Sequence, residues 1–117
     1  MLRRVMIVDD DEEIRETLAE LLSEEGYDVI EAEDGAIALD RLHDGAHPRV
    51  ILLDLMMPNM DGWQFHREVK KDPALSSIPI VVMTAAGPRG TNLTDVKEVL
   101  HKPFSLDVVL EIVARFC

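Results

Sequence analysis

Short apolar runs alternate with amphipathic stretches along this chain. "VMIV" (5–8) is continuously apolar, the pattern of a strand buried on both faces. Residues 12–25 follow, with Ile14, Leu18, Leu21 and Leu22 spaced i, i+4, i+7 and i+8 on one helical face, and Gly26 ends that helix. "YDVIEA" (27–32) predicts a second strand. Residues 34–45 place Ala38, Leu39 and Leu42 on one face of a second helix. "RVILLDL" (49–55) predicts a third strand, again apolar on both faces. "MMPNMDG" is a loop by its Pro, Asn and Gly content. Residues 62–71 predict a helix, with Phe65 and Val69 four apart, and "IPIVVMTA" (78–85) a fourth strand.

The regularity then weakens. "AGPRGTN" (86–92) carries two glycines and a proline, so the segment 86–97 predicts one helical turn or an irregular loop. "EVLH" (98–101) predicts a fifth strand. Residues 105–116 predict a closing helix, with Leu106, Val109, Leu110 and Val113 facing inward and Ser105 as its N-cap. Strands that alternate with helices, and are apolar on both faces, predict a parallel sheet covered by helices on both sides. Five strands fit an α/β, flavodoxin-like, doubly wound sheet of order 2-1-3-4-5. With no repeat and no linker, residues 1–117 read as one domain.

Composition narrows the function classes. A chain of 117 residues with 47% hydrophobic and 30% charged residues is globular. Its formal net charge of −11 argues against nucleic-acid binding and favours cations or basic partner surfaces. One cysteine, Cys117, makes neither an internal disulfide nor a thiolate metal site, which fits a cytoplasmic setting. No apolar run approaches the roughly 20 residues of a membrane span, and the N-terminal run is too short for a secretory signal.

In an open parallel sheet the site lies beyond the carboxyl ends of the strands. Strand 1 leads into Asp9 and Asp10, strand 3 into Asp54, strand 4 into Thr84 and strand 5 into Lys102. Two carboxylates about 4 Å apart repel by about 4 kcal/mol at an effective dielectric near 20, so a cation is expected among three of them. An all-oxygen donor set suits Mg²⁺, with Mn²⁺ as the alternative ion. Carboxylates also serve as nucleophiles through aspartyl phosphates, and Asp54 lies centrally between the strand 1 acids and Thr84. Asp54 is therefore the expected acceptor, Asp9 and Asp10 the metal holders, and Lys102 and Thr84 the phosphoryl contacts. Asp11, Glu12 and Glu13 read instead as a helix N-cap and first turn. The four histidines have no ligand spacing.

At this point "IVDDDEEIR", "ILLDLMMPNMDGWQF", "VVMTA" and "HKPF" together resemble the CheY-like receiver domains of two-component response regulators, over the whole chain. The resemblance implies phosphorylation of Asp54 by a histidine kinase or a His phosphotransfer protein. It implies Mg²⁺ held by Asp10, Asp54 and the Met56 backbone carbonyl, with Asp9 acting through water. It also implies phosphoryl contacts from Thr84 and Lys102, a cis Lys102–Pro103 bond, and a phosphoacceptor role rather than an enzyme. A chain ending at Cys117 would then act by docking or by phosphorelay.

Two departures qualify this expectation. The family's aromatic switch position is Val99 here, so any Thr84 rearrangement needs another readout. The interval between Thr84 and Lys102 is also shorter than in the family, and the missing residues fall in 86–97. Met56 and Ala86 occupy the positions that tune attack by water on the phosphoryl group, and neither side chain can orient a water by hydrogen bonding. Three rival readings remain. A phosphohydrolase would need a second acid two residues after the nucleophile, where Met56 stands. A flavin-binding protein would need a phosphate loop where "DDDEE" stands. A phosphorylation-independent docking module of the same fold is the third.

Overall fold

The computed structural model describes residues 3–85, 93 and 95–117. Five parallel strands form one sheet of order β2-β1-β3-β4-β5. They are β1 (Arg4–Val8), β2 (Asp28–Ala32), β3 (Val50–Asp54), β4 (Ile80–Thr84) and β5 (Glu98–His101). Four helices are described: α1 (Glu12–Glu24), α2 (Gly35–His43), α3 (Gly62–Lys71) and α4 (Leu106–Phe116). The doubly wound fold expected from the sequence is therefore the fold observed. The segment expected to be irregular lies mostly outside the described residues, because 86–92 and 94 belong to it. No helix among the described residues is long and apolar enough to cross a membrane.

The even–odd alternation of each strand divides the core into two. Met6, Val8, Ile51, Leu53, Ile80 and Val82 face α2 and α3, where Ala38, Leu42, Phe65 and Val69 meet them. Val5, Ile7, Leu52, Val81 and Met83 face α1 and α4, where Leu18, Leu22, Val109, Ile112 and Val113 meet them. This explains why β1, β3 and β4 are apolar on both faces: each is covered twice. The edge strands β2 and β5 are only half buried.

One prediction about α4 needs correction. Its buried face is Val109, Ile112 and Val113, with Leu110 partly buried, whereas Leu106 is 41% exposed. Leu106 opens the first turn and lines a cleft with Ile14, Phe104 and Lys102. The helical period was right, but the inward face starts one turn later.

Local chemistry sets where the helices begin and end. Asp11 caps α1, accepting from the Glu13 and Ile14 N–H groups, and Ser105 caps α4. Gly26, at φ +91°, closes α1 as its Gly26 N–H bonds the Ser23 carbonyl and the Tyr27 N–H the Leu22 carbonyl. Asp61 and Gln64 form a capping box on α3. Gly62, the first residue of α3, is pressed onto the end of β3. A Cβ there would lie 2.6 Å from the Asp54 carbonyl oxygen and 2.7 Å from Leu55 Cα.

That contact yields a prediction. Ala is favoured over Gly in a helix by about 1 kcal/mol, yet Gly62→Ala should destabilise the fold by about 1–3 kcal/mol, because backbone must move to admit the methyl group. Chemical denaturation measures it; a stability equal to or above wild type would show that the approach is not tight.

Candidate functional site

The register brings the functional side chains together. Val8 pairs with Leu53, so Asp9 and Asp54 are the next residues along neighbouring strands. Asp54 pairs with Met83, which places Thr84 one residue farther on β4. Thr84 pairs with His101, and the Lys102 N–H donates to the Thr84 carbonyl at 2.7 Å. Four strand ends thus deliver Asp9, Asp54, Thr84 and Lys102 to one edge of the sheet. Asp10 follows Asp9 into the turn before α1. The Lys102–Pro103 peptide is cis.

Burial separates the three acids. Asp9, Asp54 and Thr84 are buried, whereas Asp10 is exposed at the rim. Oxygens of Asp9, Asp10 and Asp54 all lie within 4.8 Å of one another. The Lys102 ammonium sits against two of them, 3.0 Å from Asp9 Oδ2 and 3.6 Å from Asp54 Oδ1. The other Asp9 oxygen accepts the Asp11 N–H at 2.9 Å. Asp54 Oδ1 also faces the Met56 N–H at 3.5 Å, a long contact.

The electrostatics follow from this crowding. Burial and the charge of Asp9 push the Asp54 carboxyl up to about 7, and a hydrogen bond with Asp10 adds to the rise, against the pull of Lys102 and the Met56 N–H. For Lys102, burial pulls the ammonium down, but Asp9 and then Asp54 outweigh it, so it is held above its ordinary value. Three carboxylates around one ammonium leave an excess of negative charge in a partly desolvated site. The donors are all oxygens, and a small hard cation such as Mg²⁺ answers that excess.

The residues singled out in the sequence therefore converge, with two additions. Arg15 of α1 donates from Nη1 to the Asp9 carbonyl at 2.8 Å and from Nε to Glu31 at 3.3 Å, which ties α1 to the end of β1 and to β2. Asp34 is buried and caps α2 rather than lying inside it, accepting the Ile37 N–H at 2.9 Å. An Asp just before a glycine and an apolar periodic stretch was an available cap signal. The Arg15 contact had no local signal, because its partners lie on other strands. Val99 is half buried against the α2–α3 side of the core, and Met56 is 60% exposed beside the acids. Ala86 lies outside the described residues.

Known proteins resemble this chain in sequence and fold. The family model for the response regulator receiver domain matches residues 5–114. Protein PilG of Pseudomonas aeruginosa is 36% identical over 112 residues, covering 92% of this chain and 82% of PilG. The probable transcriptional regulator ycf27 of Guillardia theta is 40% identical over 106 residues, and the match takes in 87% of this chain but only 40% of that relative. The response regulator protein TrrA of Thermotoga maritima, solved in complex with Mg(2+)-BeF, superposes with a TM-score of 0.86 at 31% identity, covering 99% of this chain and all of that one. The convergence of four strand ends on Asp54, together with a family match along almost the whole length, shows that this chain belongs to the response regulator receiver domain family.

Proposed function

We propose that Asp54 is the phosphoacceptor of this receiver domain and that its phosphorylation, by a histidine kinase or a His phosphotransfer protein, switches partner binding. The observation that carries the reading is the placement of Asp54 between the Asp9 carboxylate and the Lys102 ammonium, beside the rim acid Asp10.

The chemistry is a single transfer. An Asp54 oxygen attacks phosphorus, and the bond from phosphorus to the donor's imidazole nitrogen breaks. The electron pair leaves on that nitrogen, which takes up a proton, and an acyl phosphate remains on Asp54. Lys102, 3.6 Å from Asp54 Oδ1, would move from that carboxylate to a phosphoryl oxygen, as a compact ammonium suits. The Thr84 hydroxyl, one residue beyond the register partner of Asp54, would donate to another. Bound Mg²⁺ would neutralise charge on the transferring group, with Asp10, Asp54 and the Met56 carbonyl as its protein ligands. The exposure of Asp10, and the cleft it shares with Met56, support that assignment. Asp9, already engaged by Lys102 and the Asp11 N–H, fits a contribution through water.

Met56 offers no acid two residues after Asp54, so the domain reads as a phosphoacceptor rather than a turnover enzyme. Val99 replaces an aromatic switch residue, and we infer that a Thr84 movement is read by aliphatic repacking at β5. A cytoplasmic location fits the lone cysteine.

Three outcomes are expected. Incubation with acetyl phosphate and Mg²⁺ adds the mass of one phosphoryl group, and Asp54→Asn abolishes the gain; no gain, or a gain that survives the substitution, overturns the reading. The acyl phosphate is long-lived for the family, because the Met56 side chain cannot align a water; a self-hydrolysis half-life of only seconds in Mg²⁺ would contradict this. The third outcome concerns pH. Asp54 titrates near 7 in the fold against 3.8 ordinarily, so its favourable contribution is complete below the lower value and fades as pH rises through the upper one. In chelator, Asp54→Asn should therefore gain melting temperature over wild type between about pH 5 and about pH 8. A difference that stays flat across that range would show that Asp54 is ionised throughout.

A further inference from the structure

Asp34 is a buried carboxylate outside the group of acids at the strand ends. One of its oxygens caps α2 by accepting the Ile37 N–H at 2.9 Å. The other reaches across to the loop between β3 and α3 and accepts the Asn59 side-chain N–H at 3.0 Å. The next pair along makes a second tie, as the Gly35 N–H donates to the Met60 carbonyl at 3.1 Å. The approach is close enough that a Cβ on Gly35 would lie 2.8 Å from Met60 Cγ and 2.9 Å from its carbonyl oxygen. Asn59 itself takes a left-handed φ of 66°, which Asn tolerates better than most residues. Burial raises the Asp34 carboxyl, but the Ile37, Asn59 and Ala36 donors outweigh it, so the group is held below its ordinary value.

The loop held in this way is the one that carries Met56. At its base the Gly62 N–H bonds the Leu55 carbonyl at 2.9 Å. Between base and tie, Leu55, Met56, Met57, Pro58 and Asp61 line the cleft shared with Asp10. We propose that Asp34 and Asn59 form a latch that positions this loop, and through it the Met56 carbonyl, for metal binding. The proposal rests on the reading of Met56 as a metal ligand. Asp34 is on this account a positioning residue: it touches neither the ion nor the phosphoryl group.

The test uses charge to separate positioning from field effects. Asn59→Asp sets two carboxylates against each other and opens the latch while leaving the α2 cap in place. It also adds a negative charge near the cation site, which by Coulomb attraction alone tightens Mg²⁺ binding. A weakening therefore reports the loop. The double variant D34N/N59D exchanges the partners, restores one amide–carboxylate hydrogen bond, keeps an amide oxygen to cap α2, and has the net charge of wild type. Mg²⁺ is titrated into the full chain, followed by calorimetry and by the fluorescence of Trp63, the sole tryptophan, which lines the same cleft.

Asn59→Asp should raise the Mg²⁺ Kd about tenfold, as loss of a ligand-orienting partner typically does. The exchanged pair should return within about twofold of wild type. A Kd for Asn59→Asp within about twofold of wild type, or a double variant as weak as the single, overturns the latch. If Asn59→Asp does not fold, Asn59→Gly removes the amide while admitting the same φ; an unchanged Kd there overturns the latch equally. Wild type that binds no Mg²⁺ overturns the metal reading and the latch with it, whereas normal wild-type binding with indifferent variants overturns the latch alone.

Discussion

Everything at the functional edge of this sheet answers one electrostatic problem, the crowding of three carboxylates. Asp9, Asp10 and Asp54 bring oxygens within 4.8 Å of one another, and two of the three side chains are buried. Lys102 relieves part of the repulsion by pairing with Asp9 and approaching Asp54. The remainder appears in Asp54, whose carboxyl is pushed up to about 7 by burial and by its neighbour. A site so poised gains from any cation, and equally from a reaction that caps the Asp54 oxygen. Folding alone does not relieve the strain, which leaves free energy available for binding.

The fold holds this arrangement rigidly where rigidity serves it. β1, β3 and β4 are sandwiched between two helical layers, so Asp9, Asp54 and Thr84 emerge from the most deeply buried strands. The partners that vary the charge arrive from less buried elements: Asp10 from an exposed turn and Lys102 from the end of an edge strand. Around them stands a ring of supports. Arg15 holds the Asp9 carbonyl, Gly62 lets α3 seat against the end of β3, and Asp34 reaches the β3–α3 loop. None of these three supports is itself one of the clustered acids or the lysine, yet each fixes a backbone segment on which a site residue rides.

Family membership gives the chemistry, and the departures give this chain its character. An aliphatic Val99 on β5 and a thioether at Met56 stand where receiver domains commonly carry groups that signal or hydrolyse. Both substitutions replace directional polar or aromatic contacts with adaptable apolar ones. In the proposed reading, phosphoryl acceptance needs only carboxylates, an ammonium and a hydroxyl, and neither substitution removes one of these. In that same reading, their effect would fall on how long the modified state lasts and how it is read. The chain spans about two fifths of the length of its ycf27 relative.

Period and punctuation in the sequence determined the element order, the parallel sheet and the strand order, because doubly covered strands and amphipathic helices leave unmistakable apolar patterns. Four motifs at strand ends also exposed Asp9, Asp10, Asp54, Thr84 and Lys102, since the site of an open parallel sheet has a fixed address. Tertiary structure alone decided the rest. It set the first buried turn of α4 at Val109 rather than Leu106, because the sheet, not the helical period, fixes where covering begins. It made Asp9 the inner, lysine-paired acid and Asp10 the outer one, a difference that two adjacent identical letters cannot encode. It joined Asp34 to Asn59 and Arg15 to the Asp9 carbonyl, contacts between distant segments that only the closed sheet brings within hydrogen-bonding reach.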